Sequence, residues 1–158
     1  MKYQRLSKEQ FEILAEEFSK FLAVHGIDKP EWERLQSYDG DRVDELLDEF
    51  SDIIWKGVLS KVNYLENLSE HFIYLFSKEE NGLELIAVEA QVAGLDLRTS
   101  EGFMWLKKNY LDDRVIYRRA TKAYSEDPYI DLFELIQKGA VITKGELYLW
   151  FKNWLDKN

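Results

Sequence analysis

Apolar side chains recur at helical spacing through the N-terminal third of the chain. Phe11, Leu14, Ala15, Phe18, Phe21 and Leu22 predict one helix. Ser7 with Gln10 opens it as a capping box, and Gly26 stops it. Asp28 before Pro30 starts a second, short helix carrying Trp32 and Leu35, ended near Asp39 and Gly40. A third runs over residues 41–59, with Val43, Leu46, Leu47, Phe50, Ile53, Ile54 and Val58 on one face. Its opposite face, Asp44, Glu45, Asp48, Glu49 and Asp52, is acidic and expected to be solvated.

Beyond residue 60 the period changes. Residues 71–76 and 83–92 are rich in β-branched and aromatic side chains, and Asn81-Gly82 lies between them. That pair favours the positive φ angles of a tight turn, so the two runs read as an antiparallel hairpin. Residues 72–76 are apolar on both faces, as in a strand covered from both sides. Residues 61–66 suggest a preceding strand, and residues 114–124 a later one. Between them, Thr99 or Ser100 caps a short helix through Trp105, Leu106 and Lys107.

The C-terminal part is helical again. Asp127 before Pro128 opens a helix with Tyr129, Leu132, Phe133 and Ile136, which Gly139 stops. Thr143 with Glu146 reads as a second capping box, for a helix carrying Leu147, Trp150, Phe151, Trp154 and Leu155. On this helix the indoles are expected in the core, with Tyr148 and Lys152 on the flank. The fold class is therefore α+β: three to four mostly antiparallel strands, with N- and C-terminal helices packed on the sheet. Residues 1–158 read as a single domain, with a helical part at about 7–60, a β-rich part at about 61–124 and a helical pair at about 127–157.

Composition narrows the picture. The chain has 5 Trp, 9 Tyr and 9 Phe, enough aromatic surface to build a core. It has no Cys, which excludes disulfides, thiolate metal sites and a cysteine nucleophile. No run approaches a membrane span, and no apolar leader follows Met1, so a cytoplasmic protein is expected. The net charge of −9 opposes binding to nucleic acid or an anionic membrane, although residues 98–124 are locally basic.

Several segments are similar to an uncharacterised family of small bacterial proteins, a domain of unknown function. They are Met1-Lys2-Tyr3 with Arg5-Leu6, Phe50-Ser51-Asp52, the stretch 58–66 ending in Tyr64-Leu65-Glu66, and the stretch 139–148. The resemblance implies a single-domain bacterial protein, and it brings with it no activity, cofactor or catalytic residue.

Candidate chemistry is sparse. Glu89-Ala90-Gln91 at the end of an apolar strand, with Glu66 upstream, has the outline of a site where carboxylates hold Mg²⁺ beside a phosphate. The same triplet also fits the solvent-facing alternates of an amphipathic strand. Arg114, Arg118, Arg119 and Lys122 could grip an anion, with Tyr117 and Tyr124 to stack a base. On a strand Arg114, Arg118 and Lys122 share one face, and the competing expectation is that these cations pair with the acidic helix face of the same or another molecule. Two histidines without cysteine make no metal set, and neither a nucleophile elbow nor a phosphate loop is present. Neither a metal nor a cofactor is expected.

The leading expectation is thus a non-enzymatic protein-interaction or regulatory protein, binding another protein or itself, with Tyr148 and Lys152 at the contact. The rival is a metal-dependent enzyme acting on phosphate-containing or nucleic-acid substrates through Glu66, Glu89, Gln91 and the arginines.

Overall fold

The computed structural model describes residues Met1–Asn158 and divides into two compact units, Met1–Ser60 and Lys61–Asn158. The first is all helical: α1 Lys8–Ile13, α2 Ala15–Val24, α3 Lys29–Tyr38 and α4 Gly40–Leu59. The Ser7 box is formed, with Ser7 Oγ accepting from the Gln10 amide and Gln10 Oε1 from the Ser7 amide. The helix expected to run on from it breaks at Leu14 (φ −97°, ψ 21°). On one straight helix Phe11 and Phe18 would stand about 10 Å apart along the axis. The break brings their rings to 5.3 Å, edge to face, with Phe50 against both.

The acidic face of α4 is only partly solvated. Asp52 accepts from the Lys2 and Tyr3 amides, Ser51 Oγ accepts from the Leu6 amide, and Arg5 reaches Asp44 and Asp48. Spaced one helical turn apart, these carboxylates hold the N-terminal segment along the helix. Ser51 is fully buried with it, and the buried positions of the helix are Leu46, Phe50, Ser51 and Leu59. Ile53 (52 % exposed) and Val58 (41 %), expected on that stripe, project to solvent instead.

The second unit is an antiparallel sheet with three helices. Its strands are β1 Tyr64–Leu68, β2 Phe72–Lys78, β3 Gly82–Ala90, β4 Val115–Ala123 and β5 Val141–Thr143, in the order β4-β3-β2-β1-β5. The helices are α5 Ser100–Asn109, α6 Pro128–Gln137 and α7 Glu146–Asp156. The strand β5 exceeds the expected count: the segment taken as a helix entrance first pairs with β1, Thr143 opposite Tyr64. No helix of the chain is long and apolar enough to cross a membrane.

Burial along β2 alternates strictly. Ile73, Leu75 and Ser77 are buried, whereas Phe72, Tyr74 and Phe76 on the other face are half-buried. Ile73, Leu75, Ile86 and Val88 form the floor of the core, and Leu106 of α5 with Tyr148 and Phe151 of α7 form its roof.

Two local expectations are corrected here. Helix α7 has no Thr143–Glu146 capping box. Its N-cap is Gly145 at φ 83°, and Thr143 Oγ accepts from the Gly145 amide while Thr143 itself remains in β5. A β-carbon at Gly145 would fall 2.4 Å from the Tyr64 ring, so both the positive φ and the space require glycine. This entry rotates α7 away from the expected orientation. Tyr148 is only 2 % exposed and its hydroxyl donates to Glu84 at 3.0 Å, whereas Trp150 is 42 % exposed.

The β2–β3 hairpin forms as expected, Lys78 pairing with Leu83, but not for the expected reason. Neither Asn81 nor Gly82 has positive φ. Instead Gly82 pairs with Ala123 of β4, and a β-carbon there would stand 2.4 Å from the Lys122 carbonyl oxygen. Close approach of the third strand explains the glycine. Gly82→Val should therefore destabilise the protein by about 1–3 kcal/mol through overpacking, read as a lower denaturant midpoint at unchanged slope. An unchanged midpoint would contradict the account.

Candidate functional site

Helices α5 and α7 cover the core face of the sheet incompletely. Between them opens a cleft of about 770 Å³, in the range of small-molecule sites. Its floor is Glu66 and Leu68 of β1 with Leu97 of the loop before α5. Phe103 and Leu106 line it from α5, and Leu147, Trp150 and Phe151 from α7. Lys107, Lys144 and Glu146 also border it. The spacing of Phe103 with Leu106, and of Leu147 with Trp150 and Phe151, sets these side chains on one helical face each. Core packing uses Leu106 and Phe151 fully, leaving Phe103, Leu147 and Trp150 partly open to the cleft.

Glu66 owes its place to register. It stands opposite Leu75 on β2 and Val141 on β5, hence on the same face as the core. The carboxyl is half-buried, accepts no hydrogen bond and belongs to no ion pair, and burial pushes its pKa above the ordinary glutamate value.

Glu66 and Glu89 do not come together. Glu89 pairs with Phe72, whose side chain lies on the opposite face of the sheet from Leu75, and the two carboxylates are separated by β2. Glu89 bonds Arg118 at 2.8 Å and accepts from Gln91 at 3.3 Å, contacts that hold its carboxyl below the usual range. The metal outline read from Glu66, Glu89 and Gln91 is therefore not realised as a cluster. No group of three or more His, Cys, Asp or Glu side chains is placed to hold an ion.

The basic segment likewise disperses. Arg114 grips Asp112 at 2.9 Å, drawing that carboxyl down to about 2, and lies over the Trp105 ring. Arg118 holds Glu89, and Arg119 bonds Asp156 at 2.6 Å from the other face. Lys122, exposed on the face of Arg118, has no ionic partner. The cations pair within the chain, with Asp112, Glu89 and Asp156 rather than with the acidic helix. Tyr117 is committed too: its hydroxyl donates to the Tyr110 carbonyl, and burial pushes its pKa up to about 12. The Tyr124 hydroxyl donates to the Glu79 carbonyl.

Tyr148 and Lys152 do not form an exposed flank. Tyr148 is in the core, and Lys152 bonds Asp156 at 2.7 Å one turn away. What sequence reasoning missed is the Phe103–Trp150 opening. Its signal was present in the surplus of apolar positions on α5 and α7, but these became a cleft only through the rotation of α7.

Glu66 offers a direct test of this geometry. Because its folded pKa is raised, the folded state binds the proton more tightly than the unfolded chain, and stability falls as pH rises through the carboxylate range. Glu66→Gln should thus melt at a higher temperature than wild type at neutral pH, and the difference should shrink on acidification. Melting curves at several pH values check this, and a variant less stable at neutral pH would contradict it.

No curated protein and no solved structure matches the chain. The model of a family of unknown function, DUF6495, matches residues 1–156. The segments that resemble such a family are brought together in space: Met1-Lys2-Tyr3 and Arg5-Leu6 lie along Phe50-Ser51-Asp52, and Tyr64-Leu65-Glu66 pairs with Val141-Ile142-Thr143. The chain belongs to this family of unknown function, over nearly its whole length.

Proposed function

We propose that the chain is a non-enzymatic interaction or regulatory protein that works by binding at the α5–α7 cleft. One observation carries the proposal: a concave apolar opening whose aromatic wall is incompletely buried by the fold, with Trp150 42 % exposed. Folding alone favours covering such surface, and clefts of this size that combine an apolar wall with polar groups at the border are a usual form of ligand site. The placement of Glu66 and Glu89 on opposite faces of the sheet weighs against the metal-dependent enzyme. A cytoplasmic setting fits the cysteine-free sequence.

The test uses a neutral apolar fluorophore, N-phenyl-1-naphthylamine, whose emission rises in an apolar site. Wild type should enhance it, and Trp150→Glu should abolish most of the enhancement while remaining folded by circular dichroism. Equal enhancement by a folded Trp150→Glu variant would place apolar binding elsewhere and contradict the proposal.

A further inference from the structure

The polar chemistry of the cleft indicates what it binds. Glu66 is the carboxylate on its floor and accepts no hydrogen bond within the chain, while Glu146 is a second carboxylate at its exposed border. A half-buried carboxyl without a protein donor keeps its acceptor capacity for a ligand that brings a donor or a positive charge. The cations at the border do not serve. Arg98 is engaged by Asp96 through two hydrogen bonds, at 3.0 and 2.9 Å. Lys107 lies with Nζ 5.7 Å from the Phe103 ring centre, and Lys144 is exposed. Neither lysine forms an ion pair with Glu66.

On the binding role proposed above, we infer that the cleft takes an amphiphilic organic cation, its apolar body between Phe103 and Trp150 and its ammonium group against Glu66. Two features agree: the carboxyl supplies a charge-assisted hydrogen bond, and the aromatic lining favours a cation over its ring faces. An anionic amphiphile could meet Lys107 or Lys144, but its tail would then be laid along the unsatisfied carboxyl.

Calorimetric titration with three probes of equal chain length separates the cases: octylammonium, octan-1-ol and octanoate. Octylammonium should bind most tightly. Glu66→Gln should weaken it by about tenfold or more, the worth of one charge-assisted contact, while changing octanol affinity little. The variant's melting curve confirms that it is folded. Tightest binding of octanoate, or an octylammonium affinity unchanged in Glu66→Gln, overturns the inference. Equal binding of all three probes overturns the cation preference and leaves the cleft as a binding site; binding of none overturns both. A blocked leucine hexapeptide with one central lysine distinguishes the sources. The inference expects it to bind more weakly than octylammonium; tighter, Glu66-dependent binding would make the occupant a partner protein's side chain and overturn the small-molecule ligand.

Discussion

The second unit depends on covering one face of a twisted antiparallel sheet with two short helices. Ile73, Leu75, Ile86 and Val88 present a continuous apolar floor, and none of it is left to solvent. Helices of 10 and 11 residues are too short to cover a five-stranded sheet completely. They meet over its centre, where Leu106, Tyr148 and Phe151 fill the core, and part over β1. The cleft is the consequence of that mismatch in width, and Glu66 lies in it because its register on β1 leaves it no other face.

The orientation of α7 is what makes the cleft aromatic. Its entry is decided by the close approach of Gly145 to the Tyr64 ring and by pairing of β5 with β1. Tyr148 is thereby turned inward to Glu84, where burial and the neighbouring carboxylate both raise the tyrosine's pKa and keep it neutral. Trp150 is turned outward and rests edge to face on Tyr110 and Phe151. A half-exposed indole supported on two rings is well placed to meet a ligand, since little side-chain freedom remains to be lost on binding.

Periodicity made most of the fold legible. The helices over residues 29–38 and 40–59, the hairpin and the strand over residues 115–123 all stand where the apolar pattern placed them. Its failures have a common cause. The break at Leu14 serves ring contacts with Phe50, Gly82 is required by the neighbouring β4, and α7 is oriented by Tyr64; each is a tertiary constraint from residues distant in sequence. The site was less legible for the same reason. Glu66 was recognised as a candidate, but as a metal ligand beside Glu89, because sequence spacing does not reveal which carboxylates share a face until strand register is known. The arginines show the same limit: their clustering in sequence is undone by alternation along β4 and by nearby acidic partners.

The central claim is that binding occurs between α5 and α7 with Glu66 on the floor. It is tested most directly by amide chemical shifts of the isotopically labelled protein during titration with octylammonium. The account predicts shifts concentrated at Glu66 and Leu68, at residues 97–107, and at residues 143–151. Shifts confined to the acidic face of α4, or scattered over the surface with Glu66 and Trp150 unmoved, would contradict it.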